Sequence, residues 1–270
     1  MKKTNELFQS LWVDYATRNP EAKRVYDLFV REGEEVINDH IAFRTVNNSS
    51  INVDVLAQHF INVGYEFKGE YQFEQKHLFA KHFEHKTMKD APRVFISQLK
   101  TEDFSEFLQA KVAEIVAKIP ADLPLKSEIL TAGNVWEEKP SYEVYNKLRE
   151  ESEYAAWFYL YGFTVNHFTV SVTHLKKLNS MEKTNQFLKD NGFLMNDSGG
   201  EIKGTPEELL EQSSIKANMK RMQFQEGEFE VPVSYYEFAM RYLDADGKLY
   251  SGFIAKSADK IFESTDFYKK

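Results

Sequence analysis

Two spacings of apolar residues divide this chain. Between residues 5 and 34 the spacing is helical, with Val25, Leu28 and Phe29 making a stripe three and four positions apart. Asn19-Pro20-Glu21 splits the stretch into two helices. There Asn serves as a cap, Pro as the first helical residue and Glu as a partner for the helix dipole, and Gly33 closes the second helix. From Asp39 the period falls to two. Asp39-His40-Ile41-Ala42-Phe43-Arg44-Thr45 reads as a buried strand on which His40, Ala42 and Arg44 share one face. Asn52 then caps a helix that runs to Val63, with Val55, Leu56, His59, Phe60 and Val63 as its buried stripe and Gly64 after it. Strand-like runs follow at 65–73, 77–83 and 93–99. The order is β-α-β-β-β, a complete module.

Beyond it, Thr101 opens a helix over 102–118 that Pro120 closes, and 119–139 reads as loop. Residues 142–161 are helical in tendency and crowded with Tyr154, Trp157, Phe158, Tyr159 and Tyr161; so much aromatic surface needs a partner, which predicts a helical insertion lying on the sheet. The strand pattern then returns at 163–172, followed by a helix at 177–191 and a capping box, Thr205-Pro206-Glu207-Glu208, opening one helical turn. Strands are expected at 213–224 and 231–242, and a last one begins at 249–254. Asn166-His167-Phe168-Thr169-Val170-Ser171-Val172 repeats the layout of the first strand 127 positions later, so the chain reads as a duplication in which each copy aims one histidine at a shared cavity. The fold expected is α+β: a single compact unit of N-terminal helices (1–38), a first βαβββ module (39–99), a helical insertion (100–161) and a second βαβββ module with a C-terminal loop (162–270), the modules forming a half-open β-barrel around a metal site.

Composition narrows the function classes. A chain of 270 residues, 42% hydrophobic, can bury a substantial core, and 22 Phe with 14 Tyr favour a β-rich interior around a lined cavity. A net charge of −8 argues against a nucleic-acid surface. No apolar run approaches the roughly 20 residues of a membrane-spanning helix, and the first residues lack the apolar core of a signal peptide, so a cytoplasmic protein is expected. With no cysteine, disulfides, thiolate chemistry and cysteine-ligated metals are excluded.

Candidate chemistry gathers on the strands. Alternation along 231–242 puts Val233, Tyr235, Glu237, Ala239 and Arg241 on one face, with Glu237 in apolar surroundings where a carboxylate needs a cation or a metal. His40, His167 and Glu237 are together the donor set of a facial triad, which leaves three positions open on Fe(II) and also suits Mn, Zn, Ni or Co. Each has a plain alternative: a satisfied core histidine for His40 and His167, and an ion pair with Arg241 or Arg44 for Glu237. Arg44, facing inward beside a ligand candidate, is suited to a carboxylate anion, or else to a salt bridge with Asp39 or Glu237. Lys256 and Ser257 follow the last strand, where the lysine either holds an anionic end of a ligand or is solvated. His77, His82 and His85 lie among charges and read as a solvated hairpin, His59 and His174 as structural. Asp244 and Asp246 form a turn, lacking the remaining ligands of a calcium loop.

Two modules with this donor pattern resemble the vicinal-oxygen-chelate superfold. The stretch from Gly33 through Glu34-Glu35-Val36-Ile37-Asn38 to Asp39-His40-Ile41-Ala42-Phe43-Arg44-Thr45 is similar to the signature of the 2-oxoadipate dioxygenase/decarboxylase (hydroxyglutarate synthase) family. Asn166-His167-Phe168-Thr169, Tyr236-Glu237-Phe238 and Ser257-Ala258-Asp259-Lys260-Ile261-Phe262 are similar to its later motifs. The resemblance implies metal ligands at His40, His167 and Glu237, substrate contact by Arg44, Lys256 and Ser257, and Fe(II) as cofactor. It also implies a small 2-oxo acid and O2 as reactants. The 2-oxo acid would chelate the metal through carboxylate and keto oxygens, lose CO2 and be hydroxylated on the adjacent carbon, turning 2-oxoadipate into 2-hydroxyglutarate. Two other classes share these residues: a glyoxalase-like metal-dependent lyase or isomerase that consumes no O2, and a metal-free carboxylate-binding module.

Overall fold

The computed structural model describes residues 2–255, and Lys256 and Ser257 lie outside that range. Two helices come first, α1 (Lys2–Arg18) and α2 (Pro20–Arg31), then β1 (Asn38–Val46), α3 (Val53–Ile61), β2 (Tyr65–Phe73), β3 (Leu78–His85) and β4 (Arg93–Leu99). Three helices follow, α4 (Glu106–Lys118), α5 (Tyr142–Glu151) and α6 (Glu153–Tyr161). The remainder is β5 (Val165–Ser171), α7 (Met181–Asp190), β6 (Lys203–Thr205), β7 (Leu210–Ser214), β8 (Met219–Phe224), β9 (Gly227–Pro232) and β10 (Glu237–Arg241).

Eight strands form one curled half-barrel sheet in the order β2-β3-β4-β1-β5-β10-β7-β6. Each half of the sheet repeats one connection. In the first, β1 leads through α3 to the meander β2-β3-β4, and β4 returns parallel to β1. In the second, β5 leads through α7 to β6 and β7, and β10 returns parallel to β5 after the separate hairpin β8–β9 has been inserted. The halves join where β1 runs antiparallel to β5. His40 faces Thr169 there and Ala42 faces His167, two copies of one pair related by an approximate two-fold. That register puts both histidines at the middle of the sheet.

Alternation sorts the two faces of the central strands. On β5, Phe168 turns outward to meet Trp12 and Tyr15 of α1 at 5.1 Å between ring centroids, while His167 points to the other side. The aromatic insertion covers that side, as its composition predicts. Residues 154–161 of α6 are all buried, and its rings reach the sheet through their polar tips. The Tyr154 hydroxyl donates to the Ser97 carbonyl (2.7 Å) and accepts from the Thr45 amide (3.0 Å). Trp157 Nε1 donates to the Val233 carbonyl (2.6 Å) and the Tyr161 hydroxyl to that of Pro232 (2.8 Å). Trp157 and Tyr161 thus give partners to buried carbonyls where the chain passes from β9 towards β10.

Several expected elements form differently. The helix expected from Thr101 begins at Glu106 because Ser105 accepts from the Leu108 amide, and Thr101–Asp103 is a 3-10 turn. The run 142–161 breaks at Ser152, which caps α6 through the Ala155 amide. Asn19 does not cap α2; its Nδ2 donates back to the Tyr15 carbonyl. Ser180 delays the start of α7 to Met181. The capping box at Thr205 closes the turn between β6 and β7 rather than opening a helix, its hydroxyl accepting from the Glu208 amide. Residues 213–224 divide between two sheets, and 231–242 leaves the ladder over 233–236 before β10. No strand forms at 249–254, where Arg241 Nη1 takes the carbonyls of Tyr250 (3.0 Å) and Gly252 (2.7 Å) as its own acceptors.

Gly162 ends α6 at φ 59°, ψ −132°, a region open almost only to glycine. A Cβ there would also overlap the Gly133 carbonyl, with which Phe163 pairs. Gly247 has a positive φ of 73° and open space around it. Gly162→Ala is therefore expected to cost about 3 kcal/mol or more and Gly247→Ala about 1 kcal/mol, as read by urea unfolding. Equal costs would contradict this account of how α6 is anchored.

Candidate metal centre

Three strands deliver the candidate ligands. His40 comes from the start of β1, His167 from β5 and Glu237 from the first position of β10, whose partner on β5 is Thr169. The triad is buried, and one ligand atom from each residue lies within 4.8 Å of the others. His40 Nε2 is 3.5 Å from Glu237 Oε1, and His167 Nε2 is 3.1 Å from Glu237 Oε2. The two imidazoles stand edge to face, with centroids 5.6 Å apart.

The residue before each histidine sets its tautomer. His40 Nδ1 lies 2.8 Å from Asp39 Oδ1, and His167 Nδ1 lies 2.9 Å from Asn166 Oδ1. Both neighbours are acceptors, so each Nδ1 carries the proton and donates it, leaving the Nε2 lone pair directed at the shared space. Asp39 is held in turn by Arg241, whose Nε and Nη2 reach its two oxygens at 2.7 and 2.9 Å, with Arg93 Nη1 at 3.5 Å. Gln212 Nε2 donates to Glu237 Oε1 at 2.6 Å, and the Thr169 hydroxyl sits 3.1 Å from His40 Nε2.

Protonation follows from burial. Burial pushes the Glu237 carboxyl up to about 8; the Gln212 amide opposes the shift and the Asp39 charge adds to it. For Asp39 burial is again the largest influence and works in the same direction, but Arg241, His40 and Arg93 together outweigh it and hold that carboxyl well below its usual range. Burial also lowers both imidazoles, His40 against the pull of Asp39 and His167 with the added effect of the His40 and Arg44 charges. Both rings are neutral near pH 7, the form that binds a metal.

Glu237 Oε2 accepts no hydrogen bond among the described residues although it is fully buried. A buried carboxylate oxygen left in that state, facing two imidazole lone pairs, fits a divalent cation.

Arg44 lies on the same strand and is also buried. Its ion-pair partner is neither Asp39 nor Glu237. Nη1 is 3.3 Å from Glu153 Oε1, and the guanidinium rests between the rings of Tyr154 (4.8 Å) and Trp157 (5.0 Å) on α6. Asp39 is taken by Arg241 instead, an arginine that alternation had placed on the Glu237 face. His82 is not solvated. It is 2% exposed because it alternates inward with Leu78 and Ala80, and it bonds to the Tyr71 hydroxyl (2.9 Å) and Glu84 (3.2 Å). Phe253 is a further residue that sequence did not single out: its ring stands edge-on to His40 (4.9 Å), near His82 (5.4 Å) and under the Arg241 guanidinium (5.1 Å).

Paired βαβββ modules that bring two histidines and a glutamate together where the halves join define a class, the vicinal-oxygen-chelate fold. Within it, residues 7–122 and 127–248 match the 2-oxoadipate dioxygenase/decarboxylase family, and the chain belongs to that family of enzymes. It is similar to the chloroplastic/amyloplastic 2-oxoadipate dioxygenase/decarboxylase of Oryza sativa subsp. japonica, 35% identical over 275 residues that take in 93% of this chain and 75% of that protein. Among crystal structures, the rice hydroxyglutarate synthase in complex with 2-oxoadipate superposes with a TM-score of 0.89 at 32% identity, over 99% of this chain and 94% of that one. A protein of Shewanella frigidimarina, provisionally described as a hydrolase, superposes with a TM-score of 0.88 at 44% identity, over 93% of this chain and 98% of that one.

One consequence is a pH dependence. Below about pH 8 the Glu237 carboxyl of the metal-free protein keeps its proton, and a cation must expel it. Affinity for Zn(II) or Co(II), titrated between pH 6 and 9, should fall towards about ten-fold per unit below pH 8 and level off above it. An affinity flat from pH 6 to 8 would contradict the assignment of a protonated Glu237.

Proposed function

We propose that this protein is a non-haem Fe(II) enzyme that converts a 2-oxo diacid of the 2-oxoadipate type, with O2, to a 2-hydroxy acid and CO2, with His40, His167 and Glu237 as the metal ligands and Arg44 as the anchor for the substrate's far carboxylate. The convergence of the three ligand atoms in one buried cluster carries the reading. The balance closes without a second co-substrate, since 2-oxoadipate and O2 contain the atoms of 2-hydroxyglutarate and CO2. When bound, Fe(II) would supply a Lewis-acidic and O2-reactive centre held by His40, His167 and Glu237.

The chain's own groups do the rest. The hydrogen bonds from Asp39 and Asn166 keep both Nε2 atoms as donors, and Gln212 fixes the carboxylate of Glu237. Arg44 is four residues along β1 from His40, so the same strand sets the distance between the metal end and the far end of an extended diacid. Its planar fork suits a carboxylate, and Glu153, Tyr154 and Trp157 hold that fork in place. Burial of the triad and of Arg44 excludes bulk water from the reacting carbon. Lys256 and Ser257, a few residues beyond Phe253, belong to the same proposal as substrate contacts from the C-terminal side.

The test is O2 uptake by protein loaded anaerobically with Fe(II). Addition of 2-oxoadipate should consume one O2 and release one CO2 for each 2-hydroxyglutarate formed. His167→Ala should abolish uptake, and Arg44→Met should lower kcat/KM by about 100-fold while metal content is kept. Absence of uptake with any 2-oxo acid, in protein whose metal site is filled, would overturn the reading in favour of a lyase or isomerase.

A further inference from the structure

Tyr235 stands two residues before Glu237 in the extended segment that leads into β10. Its ring lies on the imidazole of His167, with centroids 4.8 Å apart and planes 28° from parallel. It is 1% exposed, yet its hydroxyl has no hydrogen-bond partner among the described residues. A buried phenol in that condition has lost its hydrogen bond to water without a replacement, which a fold seldom tolerates without a reason.

Neighbouring tyrosines make the contrast. Tyr15, Tyr154 and Tyr161 are all buried, and each hydroxyl is bonded to backbone. Tyr236 also lacks a partner, but it turns the other way, against Trp12 and Phe238 on the helical side of the sheet. Tyr235 alone of these rings lies on a metal-ligand candidate. The charged groups that act on its hydroxyl are Glu237, Arg44 and Glu153, so it sits within electrostatic reach of both ends of the substrate path. Its backbone is fixed independently: the Tyr15 hydroxyl bonds to the Tyr235 carbonyl, and Trp157 to that of Val233. The ring is therefore held, and only its hydroxyl is left over.

We propose that the Tyr235 hydroxyl is a substrate-contacting group that donates a hydrogen bond to an oxygen of the 2-oxo carboxylate head as that head chelates the metal. The proposal rests on the 2-oxo acid reading of the site given above. The ring is stacked on His167, and Glu237 acts on its hydroxyl more strongly than Arg44 does, which is why the head group at the metal end is the acceptor. The hydroxyl acts as a donor; it adds affinity and orients the 2-oxo carboxylate head.

Tyr235→Phe removes the hydroxyl and keeps the ring. The measurement is calorimetric binding to Zn(II)-loaded protein of two probes: 2-oxoadipate, and 2-oxohexanoate, which has the same head and no far carboxylate. The variant should bind both about ten-fold more weakly, with Zn(II) affinity unchanged and with a Tm equal to or above that of the parent. Unchanged affinities, or weakening confined to 2-oxoadipate, would overturn the proposal. A lowered Tm with unchanged binding would also overturn it, since the hydroxyl would then be structural. Arg44→Met serves as the internal reference: it should weaken 2-oxoadipate alone. Failure of the parent protein to bind either acid would instead overturn the underlying reading of the site, and this proposal with it.

Discussion

A carboxylate with no exposure to water, facing two imidazoles, is the constraint around which this molecule is arranged. Glu237 can be kept there only while its surroundings are held rigidly, because an unpaired buried charge costs several kcal/mol and relaxes by protonation or by movement. The fold prevents movement from three directions. Gln212 on the neighbouring strand grips one oxygen, β5 fixes the backbone register, and α6 pins the chain just before Glu237 through Trp157 and Tyr161. A cation would then take the place of the proton that burial keeps on this carboxyl below about pH 8.

The second buried charge is managed differently. Asp39 is paired in bidentate fashion with Arg241, so its charge is neutralised within the protein and is available to orient His40. That pair joins the start of β1 in one half of the sheet to the end of β10 in the other. Arg241 spends its remaining donors on the carbonyls of Tyr250 and Gly252, which seats Phe253 against His40. One arginine thus ties a ligand's orientation, the closure of the half-barrel and the course of the chain towards Lys256. His167 has the neutral counterpart, Asn166, and needs no compensating cation.

Much of this was legible in the sequence because strands carry a period of two. Alternation alone put His40 with Arg44 and Tyr235 with Glu237 and Arg241, and the repeated His context gave the two-fold relation of the halves. The partners of those residues were not legible. The assignment of Arg44 to Glu153, of Asp39 to Arg241 and of Glu237 to Gln212 depends on which strands become neighbours, and β10 reaches β5 only after an inserted hairpin that sequence merged into longer strands. His82 is hidden for a different reason: its charged neighbours along the chain mark a solvated hairpin, while alternation with Leu78 and Ala80 turns His82 itself inward. Helix starts shifted wherever a serine supplied a better cap than the residue first chosen, as at Ser105 and Ser180.

The most direct test of the central claim is a crystal structure of the Co(II)-loaded protein with 2-oxoadipate under anaerobic conditions. One metal ion should be held by Nε2 of His40, Nε2 of His167 and the carboxylate of Glu237, with the 2-oxo acid head on the metal and the far carboxylate on Arg44. A metal bound elsewhere, a fourth protein ligand on it, or a diacid whose far end avoids Arg44 would contradict the account.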